Sequence, residues 1–168
     1  SAWTYLNGGA GFSAGEVSSL DMDINPTLGY PVVAMSVFNG SQYKSSVYKY
    51  NGSAMVLIGP SFFSPGPAQM VNVATDPTGV FAVVFRDGSL GNKITCMIYS
   101  GGWSFAGTMP SGPIGSCDVS LNNCSEFLIA YSDSAFASQL NSKRILLPLT
   151  PPVITPVSPY NLCPGSSV

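Results

Sequence analysis

The side chains of this chain that could do chemistry are acids, cysteines and asparagines. Histidine is absent, so neither a Ser-His-Asp nor a Cys-His nucleophile can be assembled within it. The acids are Glu16, Asp21, Asp23, Asp76, Asp87, Asp118, Glu126 and Asp133. Asp21 and Asp23 stand two apart, and in a strand that spacing puts both carboxylates on one face. Such a pair suits a calcium site or glycoside hydrolysis. The plainer reading is a solvent-facing polar side of a strand whose other side carries Leu20, Met22 and Ile24. Asp87-Gly88 and Asp133 each follow an apolar run, which reads as turn chemistry. Trp3, Trp103, Tyr48 and Tyr50 either stack on sugar rings or pack a core. No glycine-rich phosphate loop stands between a strand and a helix. The expectation is a protein without catalytic residues and without a cofactor.

Four cysteines, Cys96, Cys117, Cys124 and Cys163, suit an oxidising compartment, hence a secreted, cell-surface or wall protein. Cys117 and Cys124 are close enough for a local disulfide, which would leave Cys96 to tie down Cys163; the alternative is buried free thiols. There is no C-x-x-C pair, so no zinc or other metal is expected. Three N-glycosylation sequons occur, at Asn39-Gly40-Ser41, Asn51-Gly52-Ser53 and Asn123-Cys124-Ser125. Asn-Gly is also a favoured hairpin turn, and turn tips are exposed, so both readings hold together.

Charge narrows the partners. Charged residues are 8% of the chain, against roughly 25% in an ordinary soluble domain. The six basic residues, Lys44, Lys49, Arg86, Lys93, Lys143 and Arg144, are scattered, which argues against nucleic acid. No apolar run approaches the roughly twenty residues of a membrane span. No leader is recognisable, so the chain is expected to be a mature processed protein or a fragment.

The elements that must carry these residues repeat. Trp3-Thr4-Tyr5-Leu6, Met55-Val56-Leu57-Ile58 and Trp103-Ser104-Phe105-Ala106 are matching segments, followed by Gly8, Gly59 and Gly107. Ser13-Ala14-Gly15 matches Ser64-Pro65-Gly66 and Ser111-Gly112. Alternating stretches follow, Leu20-Asp21-Met22-Asp23-Ile24, Met70-Val71-Asn72-Val73-Ala74 and Cys117-Asp118-Val119-Ser120-Leu121, with the period of half-buried strands. Turns at Pro26–Gly29, Pro77–Gly79 and Asn122–Ser125 lead into the most apolar strands, around Val33, Val83 and Ile129. A third strand carries Val47, Met97 or Leu146, and the first two close on Asn51-Gly52 and Gly101-Gly102.

The fold class expected is therefore all-β: three tandem four-stranded antiparallel units of about fifty residues, with a sandwich or barrel as the alternative. Residues 1–149 form the repeat domain, in units of about 1–52, 53–101 and 102–149, and residues 150–168 an extended proline-rich tail. The third unit lacks a fourth strand, and the Trp3, Tyr5, Leu6 segment is a fourth strand without a third. That segment is expected to complete a sheet, in its own chain or in a neighbouring copy.

The Tyr99, Gly101-Gly102, Trp103 pattern, with its weaker copy Tyr50, Asn51-Gly52, Met55, resembles the blade repeats of β-propellers, kelch-like blades in particular. The tail, with Pro151, Pro152, Thr155, Pro156, Ser158 and Pro159, resembles hydroxyproline-rich segments of plant and green-algal extracellular glycoproteins. That resemblance implies O-linked sugars and a semi-rigid spacer. The leading expectation is an extracellular structural glycoprotein whose partner is itself, assembled head to tail into a filament, wall or surface layer. A carbohydrate-binding propeller lectin or adhesin is the second expectation, and a fragment of a larger propeller glycosidase the third.

Overall fold

The protein is described from a computed structural model covering residue 2 and residues 4–109, 112–122 and 126–146. Trp3, Asn123, Cys124, Cys163 and the tail positions Pro151, Pro152, Thr155, Pro156, Ser158 and Pro159 lie outside the described residues.

The chain is all-β, in three antiparallel sheets that follow one another along the sequence. The first contains β1 (Val17–Ile24), β2 (Pro31–Phe38), β3 (Tyr43–Tyr50) and the short β4 (Met55–Leu57). The second contains β5 (Ala68–Thr75), β6 (Phe81–Asp87), β7 (Lys93–Tyr99) and β8 (Trp103–Met109). The third contains β9 (Ile114–Leu121), β10 (Glu126–Asp133) and β11 (Gln139–Leu146). Strand order follows chain order within each sheet, so every connection is a hairpin. The sheets do not close into a barrel. Met55 and Trp103 enter strands of the preceding sheet, so the first and second sheets each end one strand later than their sequence units.

The same local chemistry builds each sheet. Asn25, Asp76 and Asn122 end the inner strands, and each backbone amide closes a turn on a later carbonyl, of Tyr30, Val80 and Glu126 respectively. Their side-chain oxygens take up the turn's own amides, at Thr27 and Leu28, at Thr78 and Val80, and at Glu126. This is the Asx geometry that favours Asn and Asp at a turn. At the opposite end, the amides of Phe38, Gly88 and Ser134 donate to the carbonyls of Glu16, Pro67 and Pro113. The glycines just before those carbonyls are required by close approach. A Cβ on Gly15 would run into the Phe38 carbonyl, one on Gly66 into Ser89 and Asp87, and one on Gly112 would lie 3.0 Å from the Ala135 amide.

The sheets stack face to face through two apolar layers. Val32, Ala34 and Val47 of the first sheet meet Val71, Val73, Phe81, Val83 and Phe85 of the second. Ala74, Ala82, Val84, Cys96 and Ile98 of the second meet Val119, Phe127, Ile129 and Tyr131 of the third. Fully burying an aliphatic or Phe side chain is worth about 1.5–3 kcal/mol, so these layers dominate the stability. Trp103 stacks on Phe63 at 3.9 Å and meets Phe81 and Tyr99 edge-on.

Two expectations are corrected here. Asp21 and Asp23 do not form the solvent side of β1. They face the second sheet, whereas Leu20, Met22 and Ile24 are 63%, 54% and 52% exposed. The reason is hydrogen bonding: β5 presents edge amides to β1, and the carboxylates accept them, Asp21 from the Val73 amide at 2.9 Å and Asp23 from the Thr75 amide at 2.7 Å. The second correction is register. Met70 takes a left-handed φ of 51° inside a register shift between Gln69 and Asn72, which marks a bulge. Structurally, Leu20–Ile24 therefore matches Val71–Thr75 rather than the stretch beginning at Met70.

Candidate functional site

Among the described residues, two clefts are wide enough for a small ligand. One, of ≈ 480 Å³, opens at the ends of the three inner strands, between Asp23, Pro26, Thr75, Pro77, Ser120 and Asn122. Its acid is already engaged. Asp23 accepts from the Thr75 amide and hydroxyl with one oxygen and from the Ile24 amide with the other. A carboxylate so occupied has little left to offer a ligand.

The other cleft, of ≈ 380 Å³, lies between β8 of the second sheet and β10 and β11 of the third. Thr108, Met109, Tyr131, Asp133, Phe136, Asn141 and Lys143 line it. Asp133 ends β10 and caps a 3-10 turn, Ser134–Phe136, accepting the Ala135 amide at 2.9 Å. Asp87 caps the matching turn of the second sheet, where its other oxygen takes the Thr95 hydroxyl at 3.2 Å. In the third sheet Asn141 holds the place of Thr95, since each stands opposite the matching residue of the middle strand, Tyr131 or Phe85. Among the described residues the second Asp133 oxygen has no hydrogen-bond partner, although only 1% of the residue's surface is exposed. Asp133, Asn141 and Lys143 line the cleft together.

The rings complete the geometry. Phe136 is 57% exposed at the cleft's rim. Tyr131 is buried, and burial first, then the Asp133 charge, pushes its phenol above the usual tyrosine value, so it stays protonated at neutral pH. The site thus combines one buried carboxylate, an amide, an ammonium, the Thr108 hydroxyl, the buried Tyr131 and the exposed Phe136 ring. A carboxylate accepts hydroxyl protons, an amide both donates and accepts, and a ring covers C–H bonds. The volume is in the range of small-ligand sites.

The residues singled out in the sequence fall elsewhere. Tyr5 and Leu6 are 82% and 49% exposed and belong to no strand. Asn39 and Asn51 occupy exposed turns, where their side-chain oxygens accept amides of Ser41 and Gln42, and of Ser53 and Ala54. Cys96 and Cys117 carry free thiols; their expected partners Cys163 and Cys124 lie outside the described residues. Burial pushes the Cys96 thiol up to about 12. Burial also raises Cys117, to about 11, although the Asn72 hydrogen bond pulls it down. Tyr48 is buried under Phe12, and Tyr50 meets Tyr30 edge-on. Among the described residues no helix is long and apolar enough to cross a membrane.

Thr108, Met109, Tyr131, Phe136, Asn141 and Lys143 were not legible as a site. They come from three strands and a turn, with no common period. The one signal was Asp133, a strand-ending acid whose copy Asp87 is satisfied by neighbours that the third unit replaces.

In fold the chain resembles a solved lectin structure. It superimposes on a fucose lectin from Kordia zhangzhouensis, determined in complex with methyl-fucoside, with a TM-score of 0.52. The match covers 76% of this chain and 92% of the lectin chain, at 11% identity. No family model matches, and no curated protein matches.

Proposed function

We propose that this protein is a carbohydrate-binding module that holds a neutral sugar in the cleft around Asp133. The observation that carries this reading is the buried Asp133 carboxylate with one oxygen uncommitted, beside Asn141, Lys143 and the exposed Phe136 ring. A sugar ring has hydroxyls on its edge and C–H bonds on its face, and this lining offers a partner for each. The fold shared with a fucose lectin supports the same direction and suggests the first probe. No covalent step is required of these residues; the function is recognition.

The propeller-like arrangement agrees with this reading, since three blade-like sheets pack in chain order and the cleft lies at a junction between two of them. Exposed Asn39 and Asn51 remain available as glycan acceptors, and a secreted or surface location suits a module that reads glycans. The filament or wall role expected from the sequence has no comparable support, because its proline-rich segment lies outside the described residues.

The experiment is calorimetric titration of the full chain with a panel of methyl glycosides, methyl-fucoside first. Binding of at least one glycoside, weakened tenfold or more by Asp133→Asn, supports the proposal. Asn can still cap the Ala135 amide, so the turn survives. No binding across the panel, or binding indifferent to Asp133→Asn and Phe136→Ala, overturns it.

A further inference from the structure

The two outer faces of the stack repeat the two faces of its internal junctions. The side of the first sheet buried against the second carries three ladders across β1, β2 and β3: Ser19, Ser36 and Ser45; Asp21, Ala34 and Val47; Asp23, Val32 and Lys49. The outer side of the third sheet carries a similar set. There Asp118, Ala130 and Ser142 form one ladder and Ser120, Leu128 and Arg144 the next, while the Ser116 hydroxyl bonds the Ser132 hydroxyl at 3.2 Å. Asp118 thus holds the place of Asp21, Ala130 that of Ala34, Leu128 that of Val32 and Arg144 that of Lys49. In the first sheet this surface is covered, with Val32, Ala34, Ser36 and Val47 all buried. In the third it is open, with Leu128 42% exposed and Asp118 exposed.

The opposite end is complementary. Val71 and Val73 of β5 point back onto the first sheet, and Val119 of β9 points back onto the second. Leu20 and Met22 hold the places of Val71 and Val73, yet are more than half exposed. The chain therefore displays one acceptor-bearing face and one apolar face that its own interior shows to be partners.

We infer that two copies of this chain dock head to tail, the third sheet of each covering the first sheet of the other, to close a ring of six sheets. Two copies bring six sheets together, within the four to eight blades typical of a closed propeller ring, whereas three copies would exceed that range. In the docked pair Asp118 accepts the Met22 amide of the other copy, as Asp21 accepts that of Val73. The edge of β11, unpaired among the described residues, takes a strand from the other copy's segment 4–6. That segment precedes Gly8 as β4 precedes Gly59, and the two glycines share left-handed φ values of 62° and 68°. Such an interface is heterologous yet closed, which leaves no free end for a fibre. The inference does not depend on sugar binding.

Light scattering on the full chain tests it, with Met22→Arg and Asp118→Lys as single-face variants. Both sites are exposed, so each variant keeps its fold, as circular dichroism would verify. The unmodified protein is expected at the mass of two chains, and each variant alone at the mass of one. Mixing the two variants restores one of the two junctions, the intact third sheet of Met22→Arg against the intact first sheet of Asp118→Lys, so a two-chain particle that dissociates more readily than the unmodified pair is expected. A single-chain mass for the unmodified protein, a mass of three or more chains, or variants that still pair would overturn the inference.

Discussion

The Asp23 carboxylate accepts the Thr75 backbone amide at 2.7 Å, across the boundary between the first and second sheets. Asp21 does the same for Val73 one pleat along. Two sheets that share no ladder are thereby joined through acids that supply what a neighbouring strand otherwise would. Deleting such an acceptor leaves a buried N–H unpaired, at a cost of about 1–3 kcal/mol. Asp21→Ala and Asp23→Ala are each expected to lower unfolding stability by that amount in urea titrations. Leu20→Ser on the exposed side of the same strand is expected to change the stability of the single chain by less than about 0.5 kcal/mol.

Gly15, Gly66 and Gly112 hold equivalent positions, where the chain passes against the turn that follows the middle strand. Gly15→Ala and Gly66→Ala are expected to destabilise by about 1–3 kcal/mol through overpacking. Gly11→Ala serves as the control, because a Cβ there meets nothing within 4 Å. Equal effects at Gly11 and Gly15 would contradict the close-approach account.

The thiols give a pH prediction. Burial raises Cys96 from an ordinary 9 to about 12 and Cys117 to about 11. The unfolded chain therefore releases these protons first. Their contribution is intact below pH 9 and is lost as pH rises from there, at up to about 1.4 kcal/mol per pH unit for each thiol. Unfolding midpoints measured from pH 8 to 10.5 are expected to fall less steeply in Cys96→Ala. Native alkylation at pH 8 is expected to leave Cys96 unlabelled until denaturant is added.

Much of the architecture was legible because its determinants are local. Asp76-Pro77-Thr78-Gly79 sets a turn by local backbone preference and the Asp76 side chain, and the apolar runs around Val33, Val83 and Ile129 mark the middle strands. What escaped depends on distant parts of the chain. Leu20-Asp21-Met22-Asp23-Ile24 alternates in either orientation, and only the β5 amides decide that the acids turn inward. The bulge at Met70 carries no sequence mark, since methionine is not a residue expected at positive φ. The cleft was hidden for a related reason. Asp133 reads as a turn residue and is one, and it differs from Asp87 because Asn141 stands where the matching unit has Thr95, whose hydroxyl Asp87 accepts.

The most direct test of the sugar-binding account is calorimetric titration of methyl-fucoside into the unmodified protein and into Asp133→Asn. The account predicts saturable binding to the first and at least tenfold weaker binding to the second, the loss of one charge-assisted hydrogen bond at about 1.5–3 kcal/mol. Equal affinity in the two proteins would contradict it, because the carboxylate at the centre of the cleft would then have no part in recognition.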